Sequence, residues 1–192
     1  VDGFRRGDFV IIGGRPGSGK TLCGTQIAEF ASFATGQKQP EEMPSTLIAS
    51  LEMSKEALLR RMMCARLSIP SRELRAGTLN PDQEALAALW RDWMARCPIS
   101  IVTNAYTLKK LEAHCRRCGV NGEPVRLAVV DYLQLMRGSA KFYSTKALEM
   151  TEISNGLKRI AKTLGTTIIA LSQLSRAVES REDKRPVMSD LK

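Results

Sequence analysis

The segment Gly14-Arg15-Pro16-Gly17-Ser18-Gly19-Lys20-Thr21 reads G-x-x-x-x-G-K-T and follows an apolar run at 9–12. A strand, a glycine-rich turn and a helix in that order form a phosphate-binding loop. The glycines let successive backbone N–H groups curl around phosphate oxygens, and a helix expected over 22–33 turns its positive N-terminal end toward them. Gly14, Arg15, Pro16, Gly17, Ser18, Gly19, Lys20, Thr21 and Leu22 are therefore the candidate nucleotide contacts. Within them Lys20 is placed to neutralise β- and γ-phosphate charge, and Thr21 to ligate magnesium. A glycine-rich turn matching by accident is the competing reading, and the flanking strand and helix argue against it. The sequence predicts a nucleoside triphosphate site.

Four further apolar runs, at 46–51, 99–103, 127–130 and 166–171, are mostly rich in β-branched residues and read as buried strands. Helical patterns separate them. The clearest spans 80–97, where Asn80 caps, Pro81 suits the first turn, and Leu86, Leu89, Trp90 and Trp93 are expected to form one apolar stripe. The alternation predicts an α/β fold, a mostly parallel sheet with helices on both faces and nucleotide at the carboxyl ends of the strands. The stretches 36–44 and 138–145 read as mobile loops.

A length of 192 residues suits one domain spanning 1–192. Five cysteines without framework spacing, and no apolar leader, fit a reducing cytoplasm; no apolar run approaches membrane-spanning length. A formal charge of +9 and a pI near 9.6 favour a polyanionic partner, but the excess is spread along the chain. Aromatic residues make up only 5% of the chain, so contact with nucleic acid would run chiefly through the sugar-phosphate backbone.

Hydrolysing a γ-phosphate needs a carboxylate to organise magnesium, a group to orient the attacking water, and cations to neutralise charge. Asp131 ends an apolar run, where such an ATPase holds its magnesium-organising aspartate; a helix-capping role is its alternative. The next residue is Tyr132, so no adjacent acid supplies the base. Glu52 follows the second strand and is assigned as the water-activating base, against a role as a first-turn glutamate of a helix beginning near Ser54. Gln173, just past the last strand, suits a γ-phosphate sensor, against a solvated loop glutamine. Cys115 and Cys118, with His114 and Cys97, invite a zinc reading. However, Leu108, Leu111, Cys115 and Cys118 fall on one helical face, which favours core packing.

No N-K-x-D guanine motif and no L-S-G-G-Q signature occurs, which leaves a RecA-type core. The strings GRPGSGKT, SLEMS (50–54), VDYLQLM (130–136) and SQLSRAVESREDKRPVMSDL (172–191) follow in order. Together they resemble the C-terminal motor domain of DnaB-like bacterial and phage replicative helicases, over essentially the whole chain. The resemblance implies a RecA-like P-loop NTPase core hydrolysing ATP with Mg2+ at the subunit interfaces of a homo-hexameric ring. That ring would translocate 5' to 3' on single-stranded DNA and unwind duplex, with primase and a helicase loader as partners. It also matches Lys20 and Thr21 to phosphate and magnesium, Glu52 to the catalytic glutamate, Asp131 to the magnesium site and Gln173 to the sensor. A RecA-type recombinase or filament-forming ATPase is the alternative. The DNA grip is expected from basic loop residues, Arg137, Lys141 and Lys146 in one segment and Arg181, Lys184, Arg185 and Lys192 in the other. The second segment also carries Glu179, Glu182, Asp183 and Asp190, so ion pairing is its competing role. The family's N-terminal helical domain and arginine-finger segment are expected to lie outside this chain, and Lys192 stands where an arginine is common.

Overall fold

Successive residues of the central strands point to opposite sides of the sheet, and both sides are buried. A computed structural model describes residues 3–33, 44–140, 143–175, 181–183, 185–187 and 190–191. Within them lie strands β1 (Phe9–Gly14), β2 (Thr46–Ser50), β3 (Ile99–Val102), β4 (Leu127–Asp131) and β5 (Thr167–Gln173). The helices are α1 (Lys20–Phe33), α2 (Lys55–Leu67), α3 (Ser71–Ala76), α4 (Pro81–Arg96), α5 (Leu108–Arg117) and α6 (Lys146–Leu164), with a 3-10 turn at Leu133–Leu135. The sheet order is β1-β5-β4-β2-β3, and every pairing is parallel.

Leu47, Ala49, Ala128, Val130, Ile168 and Ala170 face one way, against Leu111 and Cys115 of α5 and Ile153, Leu157 and Ile160 of α6. Ile48, Leu127, Val129, Ile169 and Leu171 face the other, against Ala28 of α1, Leu58 and Met62 of α2, and Trp90 of α4. Each fully buried aliphatic side chain contributes roughly 1.5–3 kcal/mol, so two cores on one sheet fix which helix lies where. Gly24 brings α1 close to the sheet: a Cβ there would lie 3.1 Å from methyls of both Leu171 and Val129. The N-terminal end of α1 is thereby set against the ends of β4 and β5.

Three strands outrun their sequence-based ends. Gly13 and Gly14 pair with Ser172 and Gln173, and Asp131 pairs with Ser50. Glycine, glutamine and aspartate are poor strand formers, and the ladders of their neighbours override that propensity. In α4 the cap is as expected: Asn80 accepts from the Gln83 N–H, and the Gln83 side chain accepts from the Asn80 N–H. The stripe is not. Leu86 is 47% and Leu89 66% exposed, while Ala87 and Trp90 are buried and Met94 packs with them. The helix packs chiefly against α2, so the narrow i, i+3, i+7 row suffices and the leucines flank it. On α5, Leu111 and Cys115 are buried and Leu108 and Cys118 pack against the same core. Burial pushes the Cys115 thiol up to about 12 and the Cys97 thiol up to about 11. Among the described residues no cluster of three metal-ligating side chains occurs, and no helix is long and apolar enough to cross a membrane.

Candidate active site

The carboxyl ends of β1, β5, β4 and β2 converge on a cleft of about 590 Å³. Pro16, Gly17, Gly19, Lys20, Thr21 and Leu22 line it from the loop, and Glu52, Asp131 and Gln173 from three other strand ends. Strand order explains the gathering, because β5 lies between β1 and β4 and its last residue, Gln173, is in register with Gly14. Arg61 of α2 and Tyr132 complete the lining. Neither was assigned from sequence: Arg61 belongs to a run of exposed basic residues on α2, and only the packing of that helix turns it toward the cleft.

The loop is shaped for close approach by a ligand. Gly17 and Gly19 hold φ of +76° and +85°, the left-handed region that favours glycine. A Cβ on Gly14 would meet Ser18 Oγ at 2.6 Å and Lys20 Cγ at 2.9 Å. Lys20 Nζ donates to the carbonyls of Gly14 and Arg15, each at 2.7 Å. Burial pushes the Lys20 ammonium below its ordinary value, and the charges of Asp131 and Glu52 pull it back up.

Asp131 is only 2% exposed. Burial raises its carboxyl above the ordinary aspartate range, against the opposing effects of a Thr21 hydroxyl hydrogen bond and the charges of Lys20 and Arg61. Its second oxygen, Oδ2, is buried and without a hydrogen-bond partner. It caps no helix, since the 3-10 turn that follows is entered through Tyr132 without a side-chain cap. A buried carboxylate oxygen left unpaired, beside a threonine hydroxyl and at the foot of a phosphate loop, is a donor set that fits a hard divalent cation.

Glu52 lies outside α2. Ser54 takes the cap, accepting from the Ala57 N–H, and the acidic residue of the first turn is Glu56. The Ser50 hydroxyl donates to the Met53 carbonyl at 2.9 Å and closes the turn that presents Glu52, while the Leu51 N–H donates to the Asp131 carbonyl at 2.7 Å.

The candidate DNA residues are dispersed. Arg137 is exposed, and its backbone N–H donates to the Tyr106 carbonyl at 2.7 Å. Lys146 is exposed and pairs with Glu149 at 2.6 Å. Arg185 is exposed, its N–H donating to Asp183. Arg181 takes the competing ion-pair role within the chain: its guanidinium pairs with the buried Asp190 carboxylate, which also accepts the Val187 N–H. Burying that carboxylate demands a partner, so ion pairing takes the arginine. Lys141, Lys184 and Lys192 lie outside the described residues, as does most of the loop expected at 36–44. The described part of the loop expected at 138–145 is pinned to α6. Glu149 accepts the Gly138 N–H, Glu152 accepts the Ser139 N–H and hydroxyl, and the Tyr143 hydroxyl bonds Glu152.

A family model for the DnaB-like helicase C terminal domain matches residues 1–192. The replicative DNA helicase DnaB of Geobacillus stearothermophilus is 37% identical over 193 residues, covering 100% of this chain and 41% of that protein. A solved DnaB-like replicative helicase, described with its interactions with primase, superposes with a TM-score of 0.83 at 28% identity, over 98% of this chain and 44% of that one. The ATPase domain of G40P also gives 0.83, at 26% identity, over 98% of this chain and 65% of that one. The sheet and these superpositions define a RecA-like P-loop NTPase core. The chain spans about two fifths of the length of the Geobacillus stearothermophilus and Bacillus subtilis relatives it matches.

Proposed function

Since this chain belongs to the family of DnaB-like helicase C-terminal domains, we propose that it is the ATP-hydrolysing motor of a replicative DNA helicase. The observation that carries the reading is the meeting of Lys20, Thr21, Glu52, Asp131 and Gln173 in one cleft, from four strand ends distant in sequence.

Backbone N–H groups of the loop bind the phosphates, and Lys20 exchanges the Gly14 and Arg15 carbonyls for phosphate oxygens. Thr21 and Asp131 hold magnesium, which when bound neutralises charge on the β- and γ-phosphates. Glu52 accepts a proton from the attacking water, and its place outside α2 keeps its carboxylate clear of the helix cap. Gln173 hydrogen-bonds the γ-phosphate through its amide and so distinguishes the triphosphate from the product. Subunits assemble as a hexameric ring in the cytoplasm, take single-stranded DNA through the centre 5' to 3', and dock primase and a loader. A recombinase built on the same core is not favoured, because the matched relatives are named replicative DNA helicases.

The test is ATP hydrolysis by the natural full-length protein, with and without single-stranded DNA, in excess magnesium and at several protein concentrations. Strong stimulation that rises cooperatively with concentration is expected, followed by strand displacement from a forked duplex. Hydrolysis indifferent to both DNA and concentration would sink the motor reading.

A further inference from the structure

Gln134 sits in the 3-10 turn Leu133–Leu135, between the strand end that carries Asp131 and the loop that begins at Arg137. Leu133 and Met136 are buried in the core on either side, so the turn delivers the Gln134 side chain to one place. Its amide nitrogen donates to Ser172 Oγ and to the Gln173 carbonyl, both at 3.0 Å. Its amide oxygen accepts the Gln173 N–H at 3.2 Å. One side chain thus closes on both backbone polar groups of Gln173. Only a group that donates at one end and accepts at the other can do this, which glutamate and leucine of similar size cannot. On its other edge β5 is tied to the phosphate loop, where the Leu174 N–H donates to the Gly14 carbonyl at 3.1 Å.

A second thread reaches the same turn. The Arg137 N–H donates to the Tyr106 carbonyl at 2.7 Å, and the Tyr106 hydroxyl donates to the Leu51 carbonyl at 3.3 Å, next to Glu52. Residues 134–137 therefore touch the strand end bearing Gln173 directly and reach the segment bearing Glu52 through Tyr106.

We propose that Gln134 is a positioning residue that sets Gln173 in the nucleotide cleft and hands any displacement of Gln173 to the loop starting at Arg137. The proposal rests on the motor reading above. A shift of the Gln173 backbone on gain or loss of a γ-phosphate either carries Gln134 along or leaves part-buried amide groups unpaired, and the first is cheaper. The 3-10 turn moves with Gln134 as one short rigid piece, and Arg137 follows it directly.

The test uses the full-length protein with Gln134→Leu, which removes all three hydrogen bonds, and the isosteric Gln134→Glu, which keeps the acceptor and loses the donor. Three readouts are needed: affinity for a non-hydrolysable ATP analogue, hydrolysis with and without single-stranded DNA, and amide hydrogen exchange across 133–140 with and without the analogue. Gln134→Leu is expected to bind the analogue within about twofold of wild type, to lose roughly tenfold or more of the DNA-stimulated kcat with little change in KM, and to lose the exchange response. Gln134→Glu is expected to fall between, and it carries the test should the leucine variant fail to fold. Wild-type stimulation together with a wild-type exchange response in either folded variant overturns the link while leaving the motor intact. A wild-type protein that binds no nucleotide overturns the motor reading, and the link with it.

Discussion

Glu52 stands clear of α2 because Ser54, two residues on, takes the cap, and this separates its chemistry from helix stability. Glu52→Gln is therefore expected to leave nucleotide affinity and melting temperature unchanged while lowering turnover roughly a hundredfold or more, as removal of a general base does. Titration with an ATP analogue beside single-turnover hydrolysis checks both halves; an undiminished rate removes Glu52 from the chemistry. His114, the chain's one histidine, yields a second expectation. Arg117 can only donate, so the 2.7 Å contact makes His114 Nδ1 the acceptor, and Nε2–H donates to Asn104 Oδ1 at 2.9 Å. Burial lowers the imidazole below its ordinary 6.5, with the Arg117 and Lys110 charges adding to the effect. With the native value depressed, the unfolded chain takes up the proton first. Stability from this site is thus constant above 6.5 and is lost as pH falls below it, by no more than about 1.4 kcal/mol per pH unit. His114→Gln should flatten that part of a melting-temperature profile; an unchanged acid slope would assign it to other groups. Lys20, Thr21, Glu52, Asp131 and Gln173 were legible because each falls at the end of an apolar run or inside a glycine loop. Arg61 was not, because nothing local distinguishes it from Arg60 beside it.

Capping was legible for the elements, and exposure was not. Asn80, Pro81 and Gln83 interact within four residues, so sequence states their geometry almost directly. Asn80→Ala is expected to cost about 1 kcal/mol, read as a lower denaturation midpoint, without altering hydrolysis per folded molecule, since α4 does not line the cleft. Loss of activity in step with the cap would show that α4 reaches the site. The stripe of the same helix was misjudged because Leu86 and Leu89 obey the period equally well, and only the tertiary neighbours decide which arc is covered. The stretch 138–145 reads as a mobile loop from its small and polar residues, and what sequence does not show there is its long-range partners: Glu149 and Glu152, from the first two turns of α6, accept the Gly138 and Ser139 N–H groups.

At the scale of the whole molecule, the alternation of strand and helix gave the class of fold, while the order β1-β5-β4-β2-β3 depends on contacts far apart in the chain. The charge of +9 is likewise a property of the whole chain, and its bearing on DNA can be measured as counterion release. The slope of log affinity for single-stranded DNA against log salt is expected to be negative, and Arg137→Ala should shallow it by about 0.7 if that side chain meets one phosphate. An identical slope would place Arg137 away from the DNA. The two-sided burial of β2, β4 and β5 reaches into the history of the sequence. Leu47 and Ile48 are adjacent, yet one answers to α5 and α6 and the other to α1, α2 and α4. Compensating changes between lineages will consequently fall into two sets that share strands but no partners, one for each side of the sheet.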